Sequence, residues 1–280
     1  MPVRRIDGAH RVVLDHPAAV RVELIKGSVR VTGGEDESCL EVDRVDGAPL
    51  VVDQDDTALT IGYERPLRRL PVPFTRLALL RRDSADLRLS VPADCPVTIA
   101  AADATVTVSQ MNAPVAVDNI CGDINLIGIS GGAECRTGRG LVHAVRVRGG
   151  LTVDIHAGDF ALVHGYPGAV RAHCIHGSHI VDLADPDDEA GGEATDLALT
   201  CRVGDITVRL PEPGNLNVEL STVQGEIVSA FPEVTPGPRG RGGSTASGTL
   251  GGGAGRLMAR AERGRVTLLR TAPAAEGPSA

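Results

Sequence analysis

The sequence predicts an all-β protein, and within that class a single-stranded β-helix or β-solenoid of short strands with a strand-and-turn period of nine to ten residues. Three observations support this prediction: evenly spaced glycines, alternating apolar and polar residues after them, and a composition almost without aromatic residues. Successive glycines from residue 122 onward are separated by 9, 9, 9, 9, 10 and 9 residues. This series consists of Gly122, Gly131, Gly140, Gly149, Gly158, Gly168 and Gly177.

The segments that follow the glycines read as strands. Examples such as "GDINL", "GDFAL" and "GDITVRL" place an apolar residue at every second position, which is typical of a strand with one buried face. A glycine between two strands supplies the positive φ that a tight turn requires. No segment shows a convincing helical period, so we expect no helices.

The constancy of the spacing favours a solenoid over a sandwich or a barrel. Strands that stack on the equivalent strands of the next coil require a conserved coil length, whereas a sandwich has no such requirement. Aromatic residues make up only 2% of the chain and Trp is absent. A narrow interior lined by Val, Ile, Leu and Ala suits this composition.

The spacing also suggests how the chain is divided. We expect residues 1–109 to form irregular N-terminal β-coils or a cap, with an arginine-rich insert at 65–82. Residues 110–270 should form the regular solenoid, and residues 271–280 a disordered tail. Within the regular part we expect an acidic loop at 182–196 and a flexible Gly/Ser loop at 235–255.

Composition and charge restrict the location and the partners. The net charge of −8 argues against a general nucleic-acid-binding protein, and we expect no specific nucleic-acid partner. We find no signal-peptide core at the N-terminus and no apolar run long enough for a transmembrane helix. The six cysteines form no Cys-x-x-Cys motif and are expected to be free thiols. These features predict a cytoplasmic protein that associates with a membrane only if the insert binds one.

Several segments, taken in order, resemble those of the bacterial DUF4097 family of β-strand-repeat proteins, which are described as adhesins, and of its actinobacterial members in particular. They include "PLVVDQDDTALTIGYE", "LRLSVPADCPVTI", "GDITVRLPEPGNLNVEL", "GEIVSAF" and "GTLGGGAGRLMA". The resemblance extends over about residues 10 to 270. It implies a single-stranded β-helix-like fold and no established enzymatic activity.

The insert "RPLRRLPVPFTRLALLRR" contains six arginines and no acidic residue. One interpretation is a cap whose leucines cover the solenoid end. A second is a surface for anionic lipid or another polyanion, with arginines for phosphate and apolar side chains for partial insertion. A third is a surface for a protein partner. The candidate residues are Arg65, Arg68, Arg69, Arg76, Arg81 and Arg82.

The segment "RAHCIHGSHIVDL" raises the question of a metal site, because His173, Cys174, His176 and His179 are all potential ligands. On a strand, however, side chains alternate between the two faces. This alternation puts Cys174 inside, His173 outside, His176 in the turn before the glycine, and His179 inside or at the rim. We therefore expect no metal at His173 and His176. A site shared with a neighbouring coil, using His143, His156 or His164, remains an alternative.

No nucleophile motif is present, and a core of small residues does not suggest a cleft with converging polar groups. The sequence therefore predicts a non-enzymatic β-solenoid without cofactor, acting as a scaffold or protein-interaction module. Its expected partner is another protein or a second copy of the chain. The alternative is a peripheral protein that binds an anionic membrane surface or another polyanion through the insert at 65–82.

Overall fold

The computed structural model describes residues 3–34, 38–55, 58–64, 82–183, 195–212, 214–237 and 243–271. Within these ranges the chain forms strands, turns and loops without helices, so the all-β prediction is confirmed. The strands are β1 (Arg4–Ile6), β2 (His10–Val13), β3 (Val20–Gly34), β4 (Cys39–Asp46), β5 (Leu50–Gln54), β6 (Leu59–Gly62), β7 (Ser84–Pro92), β8 (Val97–Met111), β9 (Val115–Cys121), β10 (Ile124–Ile129), β11 (Ala133–Arg139), β12 (Val142–Val145), β13 (Leu151–Ala157), β14 (Phe160–Gly165), β15 (Ala169–His176), β16 (His179–Leu183), β17 (Asp196–Val203), β18 (Ile206–Leu210), β19 (Leu216–Gln224), β20 (Ile227–Ser229), β21 (Thr235–Pro236), β22 (Ser244–Thr249), β23 (Gly255–Arg263) and β24 (Val266–Arg270).

The strands pair in two ladders, and the long strands β3 and β8 belong to both. Ladder A runs in the order β1, β5, β6, β3, β8, β9, β11, β13, β15, β17, β23, β19, β22 and β21. Ladder B runs in the order β2, β4, β7, β3, β8, β10, β12, β14, β16, β18, β24 and β20.

From β8 to β16 each strand pairs in parallel with the strand two positions further along the chain. We call one ladder A strand, together with the ladder B strand that follows it, a coil. Ile124 lies opposite Val106 on one side and Val142 on the other, so equivalent residues of these coils are 18 apart. The glycine period of about nine residues is therefore half a coil.

The inner face of each ladder is a set of columns of stacked apolar side chains. One column in ladder B contains Val106, Ile124, Val142 and Phe160, all of them buried. Residues between them along each strand point outward, as alternation requires. The apolar core therefore lies between the two ladders, and its aliphatic composition agrees with the low aromatic content.

Glycines form a column at the corner where ladder A strands lead into ladder B strands. Gly140, Gly158, Gly177 and Gly204 have φ values between 143° and 149°. A Cβ atom at Gly177 would lie 1.8 Å from the carbonyl oxygen of Gly158, the equivalent residue of the preceding coil. Glycine is thus required here both by the backbone conformation and by the close approach of neighbouring coils.

Aspartates that follow Gly122, Gly158 and Gly204 at this corner link neighbouring coils by hydrogen bonds. Asp123 Oδ1 accepts a hydrogen bond from the Leu141 N–H of the next coil at 2.8 Å. Asp159 Oδ1 accepts one from the Ser178 N–H at 2.7 Å, and Asp205 Oδ1 one from the Arg265 N–H at 2.7 Å. The recurrent Gly-Asp pairs therefore have a structural explanation.

A buried polar side chain three residues before the corner glycine makes a second set of contacts. Cys201 Sγ donates to the carbonyl oxygen of Gly177 at 2.9 Å, and Thr222 Oγ1 to that of Gly264 at 2.9 Å. The equivalent Asn119 donates through Nδ2 to the Ala104 carbonyl oxygen at 2.7 Å. Backbone carbonyls at the corner thus gain partners from inside the core.

The final coils depart from chain order. β23 lies between β17 and β19 in ladder A, and β24 lies between β18 and β20 in ladder B. The repeat pattern gave no sign of this insertion, because it reports strand length and not which strands become neighbours.

The expected flexible loop at 235–255 is wrong in part, since β22 occupies Ser244–Thr249 and pairs antiparallel with β19. The Gly/Ser composition predicted a loop because glycine is uncommon in strands. Gly248 shows why a small residue is needed, because a Cβ atom there would lie 2.2 Å from the Glu233 carbonyl oxygen. Residues 238–242 of this segment are outside the described ranges.

The predicted division of the chain at residue 109 stays a prediction, as does the tail at 271–280, of which only Thr271 is described. β8 spans residue 109, and its pairing with β3 is parallel, as in the later coils. The antiparallel strands β1, β2, β4 and β5 lie at the N-terminal end of the ladders.

Gly177→Ala is expected to lower the free energy of unfolding by about 3 kcal/mol, because the corner backbone conformation is strongly disfavoured for any residue with a Cβ atom. Urea denaturation followed by circular dichroism measures this loss. Gly150→Ala is the matched control, since a Cβ atom there would meet nothing closer than 4.0 Å. Equal stability of the two variants would contradict the glycine column.

Candidate interaction surface

A groove of about 370 Å³ lies across ladder A between β9 and β15. Most of the residues around it point outward from four neighbouring strands. They are Asp118, Ile120, Arg136, Gly138, Asp154, His156, His173 and Ile175.

The absence of a side chain at Gly138 explains the groove. In the flanking strands the neighbouring outward positions belong to Ile120 and His156, whose side chains form its walls. A Cβ atom at Gly138 would lie 2.5 Å from the carbonyl oxygen of Ile120. The local backbone therefore excludes any larger residue, and the notch is part of the fold.

Acidic and basic side chains alternate along one edge of the groove. Asp118, Arg136, Asp154 and His173 are successive partners in the parallel register of β9, β11, β13 and β15. Arg136 Nη2 lies 2.5 Å from Glu134 Oε1, and its Nε lies 4.0 Å from Asp154 Oδ2. These ion pairs are exposed, so they add little stability and are free to exchange for contacts with a partner.

The structure places the three histidines of the segment 171–183 in three different surroundings, as predicted. His173 is exposed on the groove, and its Nδ1 lies 2.9 Å from Thr200 Oγ1. His176 is the exposed last residue of β15, one residue before the corner glycine. Cys174 and His179 are buried.

His179 occupies the column position that Phe160 fills in the preceding coil. Its ring meets the Phe160 ring edge-on, with centroids 5.9 Å apart. Nε2 donates to the Thr200 carbonyl oxygen at 3.0 Å, while Nδ1 is buried and has no hydrogen-bond partner. Burial lowers the pKa of His179 below its usual value of 6.5, so the folded chain holds a neutral imidazole.

The groove brings His156 and His173 to one surface with Asp154, which is the neighbouring-coil arrangement left open by the sequence. Across the described ranges, however, no three His, Cys, Asp or Glu side chains are grouped so that they could hold a metal ion. His173 and His176 are also separated, one on the outer face and one at the corner. The side chains in the groove suit hydrogen bonds and ion pairs.

The fold brings two cysteines together that lie 27 positions apart in the sequence. Cys174 and Cys201 are register partners in β15 and β17, and both are buried. The hydrogen bond with Cys201, together with burial, raises the pKa of the Cys174 thiol. Burial also raises the pKa of Cys135 to about 12. Such thiols are poor nucleophiles at neutral pH.

Five of the six candidate arginines, Arg65, Arg68, Arg69, Arg76 and Arg81, lie outside the described residues. Arg82 is described and exposed, two residues before β7. The insert joins β6 of ladder A to β7 of ladder B. The residue before it, Glu64, forms an exposed ion pair with Arg5 at 2.5 Å.

No helix in the described ranges has the length and apolar character needed to span a bilayer. The cytoplasmic location stays a prediction.

Comparison with known protein families and curated proteins finds no match. The resemblance to the DUF4097 family therefore stays a prediction.

Solved structures that match include a candidate cell adhesion protein from Clostridium sporogenes ATCC 15579. It is 11% identical, with 94% of this chain and 99% of that chain covered and a TM-score of 0.25. A candidate adhesin from Parabacteroides merdae ATCC 43184 is 9% identical, with 94% and 95% covered and a TM-score of 0.27. At these identities and scores we derive no function from either protein.

The stability of the folded chain should depend on pH through His179. The unfolded chain binds a proton at this residue below about pH 6.5 and the folded chain does not, so the free energy of unfolding should fall as the pH drops through that value. His179→Leu should reduce this slope, as measured by urea denaturation from pH 7.5 to 5. Replacing the exposed His176 by Asn is the control. An unchanged slope in the His179 variant would show that the residue is not buried in the neutral form.

Proposed function

We propose that the chain is a non-enzymatic β-solenoid that serves as a protein-interaction scaffold. The main support is the parallel pairing of each strand with the strand two positions along, which repeats from the β8–β10 pair to the β16–β18 pair. In such a stack the interior is filled by side-chain columns, and the outer faces are flat and regularly spaced. A partner would therefore be bound by the outward-facing side chains.

The groove on ladder A is the part of these faces best suited to a protein partner. Its edge presents acceptors and donors in alternation at the strand spacing of about 4.8 Å. Ile120 and Ile175 add apolar surface beside them. An extended protein segment with complementary charges would match this arrangement, since charge complementarity selects partners and sets register.

Partner capture tests this function. The full chain, immobilised, should retain a partner from an extract of its source cells, and Asp154→Ala together with Arg136→Ala should weaken retention at least tenfold. Both residues are exposed, so the fold should persist. The control is Asn125→Ala with Thr207→Ala, on the outer face of ladder B. Equal retention by the two double variants would show that the groove is not the binding surface.

A second function rests on the charge of the insert at 65–82. Six arginines without an acidic residue, interleaved with apolar residues, suit an anionic membrane surface or another polyanion. The full chain should then sediment with phosphatidylserine vesicles, less so at high salt because screening weakens the attraction. Replacing Arg68, Arg69, Arg81 and Arg82 by Ser should abolish sedimentation. Failure of the parent chain to bind such vesicles would remove this function.

A further inference from the structure

The last coil in the sequence is not the last coil in space. β23 has a parallel partner on each side, β17 and β19, and β24 likewise lies between β18 and β20. The coil of β17 and β18 and the coil of β19 and β20 follow each other in the sequence but are separated in space by the width of one coil. Segment 255–271, which contains β23 and β24, lies between them.

The chain must cross over β19 to reach this position. β22 pairs with one edge of β19 and β23 with the other edge. The connection passes the start of β19, where Leu250 and Leu216 exchange backbone hydrogen bonds of 2.8 and 3.1 Å. The Gly255 N–H then donates to the Asn215 carbonyl oxygen at 3.0 Å.

The connection is short and rich in glycine. It consists of residues 250–254, "LGGGA", and both Gly251 and Gly253 have positive φ, at 56° and 66°. A run of three glycines can change from this compact turn to an extended path with little steric cost. It has the properties of a hinge.

A gap flanked by an unpaired strand edge on each side binds an incoming strand strongly. When segment 255–271 leaves its position, β17 and β19 both present unpaired backbone N–H and C=O groups to the same gap. β18 and β20 do the same in ladder B. Unpaired edges of this kind bind another strand of matching register. The sequence that matches best is the same segment of a second copy.

We propose that two copies of this chain exchange their C-terminal segments 255–271 and thereby form a reciprocal dimer. Each segment inserts between β17–β18 and β19–β20 of the other copy. The proposal rests on the scaffold function in that it names a second copy as a partner. Its site is distinct from the groove.

The closed and exchanged forms contain the same strand pairings, so they differ mainly at the hinge and in the entropy of association. The exchanged fraction should therefore rise with chain concentration during folding. The exchanged fraction should also rise when residues 250–254 are too short to cross β19, because only the closed form requires the chain to turn back past β19.

Refolding of the full chain from urea over a range of concentrations tests the exchange. Size-exclusion chromatography with light scattering should show a species of twice the 29.0 kDa chain mass whose fraction grows at least fivefold over a hundredfold rise in concentration. Deletion of Gly252 and Gly253 should make this species predominant. A folded, monomeric deletion variant would overturn the proposal.

A cross-linking measurement covers the case in which the deletion variant does not fold. Ala198 and Met258 are register partners on the outer face of β17 and β23. Copies with Ala198→Cys, refolded together with copies with Met258→Cys, should form a bond between positions 198 and 258 on mild oxidation. The double variant in one chain shows that this bond can form. Monomers alone in light scattering, and no bond between copies, would refute exchange while leaving partner capture by the groove intact.

Discussion

The close approach of successive coils at the glycine corner is the constraint on which the rest of the structure depends. Each corner glycine has its Cα facing the carbonyl oxygen of the equivalent residue one coil back, at a distance that admits no Cβ atom. The aspartate that follows bonds the next coil in three cases. A coil of different length would lose this alignment unless its extra residues lay outside the corner.

The same constraint determines where chemistry is available. Inward positions are occupied by stacked side chains, so His179 is held as a neutral imidazole and Cys174 as a thiol inside the core. Outward positions are spaced by the strands and meet solvent. The groove arises where one of them, Gly138, lacks a side chain because the neighbouring carbonyl is too close. Function in this chain is therefore expected on its faces and at its ends.

Local features of the fold could be predicted from the sequence, whereas the neighbours of each strand could not. Alternation correctly placed Cys174 and His179 inside and His173 outside, because it depends only on residues next to one another. The glycine series mixed two corners: Gly122, Gly140, Gly158 and Gly177 share one, while Gly131 and Gly149 belong to the other. The insertion of β23, the strand β22 and the groove all depend on contacts between distant residues, which a single sequence does not report.

Distances between outward residues of ladder A test the central claim, the parallel stack with its inserted coil. Spin labels at Ala116 and Ala198 should be about 19 Å apart, because four strand steps of about 4.8 Å separate them. Labels at Ala116 and Glu219 should be about 29 Å apart, since β23 adds a sixth step. Pulsed electron paramagnetic resonance measures both. A value of about 24 Å for the second pair would mean that the coils stack in chain order and would contradict the account.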